Sequence, residues 1–505
     1  MKTEIIEKTD IIEIKSGKIQ GYKEDGLEIF KNIPFAEPPI GELRFLPPVA
    51  KKPWDDVLET TKYGNVAWQG YTQLEEFLGK DGPEDEDCLN LNIWTPATDD
   101  GKRPVMVWIH GGAFITGTGA NPIYDGSALA KRGNIVIVTI NYRLGSFGYL
   151  NFKGKKTLNV GSLDQIAALK WVNENISKFG GDPDNVTIFG ESAGGYSVVS
   201  LCSMTDAKGL FRRVIGQSAP TIPPEIDDKT TKKMMRKLGL RKGTFEDLLK
   251  IPPEKIIDAQ NAVFEADPTN IMALRPMIDG NIWPKHPLQA FRDGDCADID
   301  FMIGSNMDEF KLFSEQEQLK NLIEDGDVVK LLVGFLGMAG IPSERSAKII
   351  DVYKEAREGK YSNEPTDLFT ALVNDYAFRI STIRLLEAQR PHQPNTYNYL
   401  FDWKSPGLNG RLGACHALEL PFVFGTLNNP VLKDFVKGAP RELSEKIMDA
   451  WIAFAKTGNP NHDGLPEWPA YDAEKRATMI LAEECRVENA LFDKERAAWD
   501  GLLEV

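Results

Sequence analysis

Between Pro104 and Phe189 the chain alternates apolar, β-branched runs with helical patterning: PVMVWIH (104–110), IVIVTINYR (135–143), an amphipathic stretch from Leu163 to Phe179, then NVTIFG (185–190). Runs of Val and Ile without polar alternation predict strands covered on both faces. Strands of that kind, separated by helices, build an α/β architecture: a large, mostly parallel central sheet flanked by helices. RRVIGQS (212–218), DFMIGS (300–305) and YNYLFDW (397–403) extend the same sheet. The segments from about 221 to 298 and from about 312 to 390 read as helical insertions with Pro and Gly breaks, candidates for a cap. Large α/β folds carry such insertions within one unit, so a single domain over residues 1–505 is expected.

Gly190-Glu191-Ser192-Ala193-Gly194 follows the strand NVTIFG directly and opens the helical run AGGYSVVSLCSM. A serine on a sharp strand-to-helix turn is held in a strained backbone conformation, needs small residues two positions either side, and projects its hydroxyl from the end of the sheet. That context, more than the G-x-S-x-G string, marks Ser192 as a nucleophile. A serine hydroxyl is almost un-ionised at neutral pH and needs a base, which in this arrangement comes later in the chain. His392 (RPHQP), His462 (NPNHDG) and His286 (WPKHP) sit in polar, Pro-flanked turns. His416, in LGACHALELPFVFG, stands where a loop meets a buried run after the last expected strand, and is the best-placed base. The orienting acid should follow a strand between Ser192 and His416; MIGSNMDEF supplies Asp308 and Glu309, and pattern alone does not choose between them. Upstream, the two glycines of VWIHGGAF let backbone N–H groups approach a developing oxyanion, with Gly112 and Ala113 donating alongside Ala193.

Composition narrows the function classes. A net charge of −15 repels phosphate backbones and anionic lipid headgroups, which argues against nucleic acid or a membrane surface as partner. The first residues, MKTEIIEKTD, are charged throughout, and no stretch reaches the ~18 apolar residues of a membrane span, so a cytoplasmic protein is expected. Five scattered cysteines form neither a disulfide framework nor a C-x-x-C pair. Five histidines, without H-E-x-x-H or a Cys/His cluster, leave little to build a metal site from, and no metal or cofactor is expected. No serine has lysine three residues on, which excludes the S-x-x-K class of serine hydrolases.

With these residues in place, the chain resembles the type B carboxylesterases, a family that also contains the cholinesterases and the non-catalytic neuroligins. The resemblance runs through NIPFAEPPIGELRFLPP (32–48), EDCLNLNIW (86–94), NYRLGSFGYL (141–150), FGGDPDNVTIFGESAGG (179–195) and WIAFAKTGNPN (451–461), and HALELPFVFG (416–425) is nearest to bacterial p-nitrobenzyl esterases. It implies the α/β-hydrolase fold and hydrolysis of a small-molecule carboxylic ester through an acyl-enzyme. It also implies a Ser192–His416–Glu309 triad, because Gly304 to Glu309 matches the family's G-x-x-x-D-E string. The oxyanion donors fall on Gly112, Ala113 and Ala193, and Glu191, Ser197 and Ser218 on positions that support the nucleophile and the histidine. Ion pairs Arg44–Glu86 and Arg143–Asp164 are implied as well. Three departures stand out. Phe310 replaces the glycine that usually follows the acid, so the local loop is expected to differ. Cys88 matches half of a family disulfide whose other half falls on Ala67. No tryptophan stands just before Cys88, which argues against choline esters. With serine, acid, histidine and oxyanion glycines all present, a neuroligin-like, purely binding role is disfavoured.

Overall fold

The computed structural model describes residues 7–70, 82–152, 155, 157–220, 228–266, 272–324 and 326–503; parts of the expected helical insertion 221–298 lie outside them. A small sheet joins β1 (Ile12–Ile14), β2 (Gly17–Gln20) and β5 (Val57–Glu59). The main sheet has eleven strands: β3 (Tyr22–Glu24), β4 (Leu27–Pro34), β6 (Asn90–Thr95), β7 (Arg103–Ile109), β8 (Val136–Ile140), β9 (Gly181–Glu191), β10 (Arg213–Gln217), β11 (Asp300–Asn306), β12 (Thr396–Phe401), β13 (Thr478–Leu481) and β14 (Arg486–Glu488). Their order is β14-β13-β12-β11-β10-β9-β7-β8-β6-β4-β3. The seven strands from β8 to β13 pair in parallel, and the outer strands at both edges run antiparallel. This is the α/β-hydrolase fold, with the sheet mixed only at its margins.

The apolar runs explain the centre. Along β7, Val105, Val107 and Ile109 enter the apolar layer on one face while Met106 and Trp108 enter the layer on the other, as the two-residue period of a strand requires. Two buried clusters thus sandwich the sheet. A third gathers outside it, from helices Glu317–Glu324, Val328–Met338, Ser343–Arg357 and Pro365–Asn374, with Leu332, Leu336, Ile349, Tyr353, Leu372 and Trp499 at its centre. Trp499 arrives from the far end of the chain: its indole donates to Tyr353 Oη (2.8 Å), and Arg345 and Arg384 bind the carbonyls of Ala498 and Trp499.

Two buried ion pairs pin the connections. Arg44 meets Glu86 in a bidentate pair (2.5 and 2.6 Å) and Arg143 meets Asp164 the same way (2.7 and 2.7 Å), the pairings that the resemblance implies. All five cysteines are free, and Cys88 and Ala67 are both buried in the same apolar cluster.

Candidate active site

Ser192 stands between the end of β9 and the helix Ala193–Leu201, with φ 56° and ψ −120°. Such a backbone is strained for a residue with a side chain and persists only where its surroundings hold it. Here the Ser192 N–H donates to Gln217 O on β10 (2.9 Å), and its carbonyl accepts from Tyr196 N (2.8 Å). The flanking glycines are dictated by space. A Cβ on Gly190 would lie 2.5 Å from Gly194 O, and one on Gly194 would lie 2.0 Å from Ile109 O.

The loop after β7 closes over this turn. A Cβ on Gly111 would come within 2.7 Å of Glu191 O and 3.1 Å of the Ser192 Cβ, so only glycine lets the loop approach. Gly112, Ala113 and Phe114 all take positive φ (104°, 54° and 63°), and Gly112 O is capped by the N–H groups of Ile115 and Thr116 (3.0 Å each). The amides of Gly112, Ala113 and Ala193 donate to no backbone carbonyl among the described residues. Unpaired main-chain donors grouped beside a serine suit an anion, since an unused buried N–H is otherwise costly.

Beyond β11, Glu309 is fully buried and both its oxygens are held: Oε1 accepts from the Asn306 N–H (2.7 Å) and Oε2 from His416 Nδ1 (2.6 Å). Asp308 turns the other way, accepting from Lys404 Nζ (2.6 Å) and the Ala414 N–H (2.9 Å), with Lys311 3.2 Å off. Burial opposes its charge, but these cations outweigh that and hold its carboxyl below the usual range. The pair that pattern left open is thereby separated: Glu309, not Asp308, meets the imidazole. Phe310 adopts ordinary helical angles (φ −77°, ψ −9°) and packs at a tilt against Phe313 and Phe369, its N–H donating to Asn374 Oδ1 (2.7 Å). The position needs no glycine, and its side chain joins the outer helical cluster.

His416 is buried beneath Phe313 and Phe378 (ring centroids 5.4 and 5.0 Å). Its Nε2 lies 3.0 Å from Glu191 Oε1, an approach without hydrogen-bond geometry. Burial works against a charged imidazole, yet the carboxylates of Glu191 and Glu309 outweigh it and raise the pKa of His416 to about 9. Burial also pushes Glu191 up to about 8, against the pull of His416. The two shifts are linked through charge: a protonated Glu191 no longer attracts the imidazolium, so the two groups titrate as a coupled pair. Ser197 lies behind the nucleophile, donating to Ala193 O (2.9 Å) and accepting from Gln165 Nε2 (3.1 Å). Ser218 sits at the end of β10 with φ 48°, its N–H on Gly304 O, while its buried hydroxyl has no partner.

Sequence reasoning passed over Glu419 and Asn306. Glu419 is buried three residues past His416, accepting from Gln217 Nε2 (3.0 Å) and Asn306 Nδ2 (2.7 Å), and burial and Glu309 push its carboxyl up. An acidic residue inside the apolar run HALELPFVFG was the available signal. Phe378 comes from the π-turn Asp375–Arg379, which no sequence pattern announced.

Residues 8–499 match the carboxylesterase family. The chain is 38% identical to the para-nitrobenzyl esterase of Bacillus subtilis over 95% of its length and 96% of that protein's, and 33% identical to liver carboxylesterase 1 of Oryctolagus cuniculus over 96% and 90%. Among solved structures it is similar to a carboxylesterase of Geobacillus stearothermophilus (TM-score 0.85, 38% identity, covering 97% of this chain and 100% of that one).

Proposed function

The chain belongs to the carboxylesterase family and is a carboxylic ester hydrolase, and from that premise we propose that Ser192, His416 and Glu309 carry the reaction through an acyl-enzyme. The observation that bears most weight is the buried 2.6 Å bond between His416 Nδ1 and Glu309, in a fold that sets Ser192 on a strained turn beside three undonated amides. Glu309 fixes the imidazole tautomer so that Nε2 is the proton acceptor, and it stabilises the imidazolium that forms. Ser192 Oγ attacks the ester carbonyl as Nε2 takes its proton; the carbonyl oxygen, now an anion, is met by the N–H groups of Gly112, Ala113 and Ala193. The imidazolium returns the proton to the departing alcohol, and water repeats the cycle on the acyl-enzyme. For the first step Nε2 must turn from Glu191 to Ser192, a shift that substrate can complete, since such contacts tighten in the reacting complex. A protonated Glu191 makes that exchange easier and spares the oxyanion a negative neighbour.

In this reading residues 1–505 form one catalytic domain, capped by the helical segments near 221–298 and 312–390. Ser197 and Ser218 support the nucleophile and histidine from behind. The chemistry uses small-molecule esters and no metal, cofactor or nucleic acid. No helix among the described residues is long and apolar enough to cross a membrane, and five free thiols suit a reducing, cytoplasmic setting. The test is Ser192→Ala: ester hydrolysis and labelling by a fluorophosphonate probe should both vanish while the fold is kept. Labelling at the wild-type rate would move the nucleophile elsewhere.

A further inference from the structure

Asn306 is the last residue of β11, and it bonds the acid of the proposed acid–base pair on one side and residues flanking its histidine on the other. Its main-chain N–H donates to Glu309 Oε1 (2.7 Å). Its side-chain amide donates twice on the other side, to Cys415 O (2.8 Å) and to Glu419 Oε2 (2.7 Å), the groups that precede and follow His416. The orientation of the amide is fixed by chemistry. A carbonyl and a carboxylate can only accept, so Nδ2 must face them. This leaves Asn306 Oδ1 buried with no partner among the described residues, at a residue lining a small pocket of about 40 Å³. A buried amide that leaves its own acceptor unpaired in order to aim both donors at one loop is held there by that loop. Glu419 is braced in turn, since its other oxygen accepts from Gln217 Nε2, whose Oε1 accepts from Trp451 Nε1 (3.1 Å).

We infer that Asn306 is a positioning residue that locks the loop bearing His416 to the strand end bearing Glu309. The inference rests on the triad reading above. Asn306 touches no reacting atom; it adds a side-chain tie between two segments that also meet through the His416–Glu309 bond, the His416 N–H to Glu309 O bond (3.2 Å) and the two bonds of Asp308 with Ala414 (2.9 Å each), and it is the tie that reaches past His416 to Glu419. Without the clamp the imidazole loses its aim at Ser192, and a misplacement near 1 Å costs about 100-fold in rate.

The experiment measures kcat and KM for p-nitrophenyl acetate per active site, with sites counted by fluorophosphonate titration. Asn306→Ala should lower kcat by about 10- to 100-fold with KM within threefold. A residue that only supports folding would reduce the number of titratable sites and leave kcat per site alone. The second arm exchanges the two partners. Asn306→Asp sets a carboxylate against Glu419 and the Cys415 carbonyl and should be impaired; Asn306→Asp combined with Glu419→Gln returns a donor–acceptor pair with the same net charge and should recover at least tenfold over the single variant. A wild-type kcat per site in Asn306→Ala, or a double variant no better than Asn306→Asp, would overturn the clamp. A wild-type enzyme that is not labelled at Ser192 would instead sink the triad reading, so the two failures are told apart.

Discussion

Replacing Glu191 by glutamine should move the pH dependence of catalysis in a direction that the geometry dictates. The base must be neutral imidazole, so kcat/KM is low below the pKa of His416 and rises through it. Burial opposes charge on this imidazole, and the carboxylates of Glu191 and Glu309 reverse that and lift its pKa to about 9; the rise should therefore lie above the ~6.5 of a free histidine. Two unit charges 3.0 Å apart interact by ~5 kcal/mol at an effective dielectric of about 20. Glu191 is itself raised to about 8, so it is about half ionised where the imidazole begins to lose its proton, and ~1–3 kcal/mol of that attraction survives there, equal to ~1–2 pKa units. Glu191→Gln removes it, and the rise in kcat/KM should shift to lower pH by that amount, whatever happens to the plateau. The assay is pH-stat titration of a simple alkyl ester from pH 5 to 9.5, which avoids the colour change of nitrophenol and the spontaneous hydrolysis of its esters. A rise that stays in place, or moves to higher pH, would refute the account of Glu191 and His416 as a pair coupled through charge.

Three further outcomes are expected. Glu309→Gln should cut kcat by about 10³-fold or more, because it removes the charge that stabilises the imidazolium, whereas Asp308→Asn should cost less than about tenfold; steady-state kinetics showing the reverse order would exchange their roles. Arg143→Ala leaves Asp164 buried without its bidentate partner, and urea unfolding should show a loss of about 3–5 kcal/mol; a loss under ~1 kcal/mol would mean the carboxyl is readily neutralised. Some esters of tertiary alcohols should be hydrolysed slowly, since Gly111-Gly112-Ala113 matches the loop form that, in the family resembled, leaves room beside the scissile bond, and Phe310 packs with Phe313 and Phe369; chromatography of tert-butanol released from its acetate, against a Ser192→Ala blank, checks this, and no release from an enzyme active on p-nitrophenyl acetate would show the space is closed.

What the sequence disclosed follows burial. The central strands β7 and β8 and the second half of β9 are Val- and Ile-rich runs because both their faces are covered, while β10, β11 and β12, buried throughout, show as shorter runs in which Phe, Tyr, Met and Leu share the apolar positions. The edge strands escaped: β3, β13 and β14 are three or four residues long, and β4 carries Lys31 and Asn32 within it. The nucleophilic turn was legible because Gly190 and Gly194 are forced by contacts under 3 Å. The acid was legible only to within two adjacent carboxylates, since which of Asp308 and Glu309 faces inward depends on the course of one turn and on Lys404, nearly a hundred residues away. Asn306 and Glu419 were missed because their partners are paired across the fold and not along the chain.

The outer helical cluster is closed by Trp499, a residue more than a hundred positions beyond the helices it seals. The cluster is therefore contiguous in space and split in sequence. For anyone recombining such enzymes, the segment near 312–390 is not a self-contained cassette. Moved alone to another scaffold, it would arrive with Tyr353 Oη and the Arg345 and Arg384 guanidinium groups facing a foreign tail. Residues 493–503 must travel with it, and natural drift in one part should be answered by drift in the other.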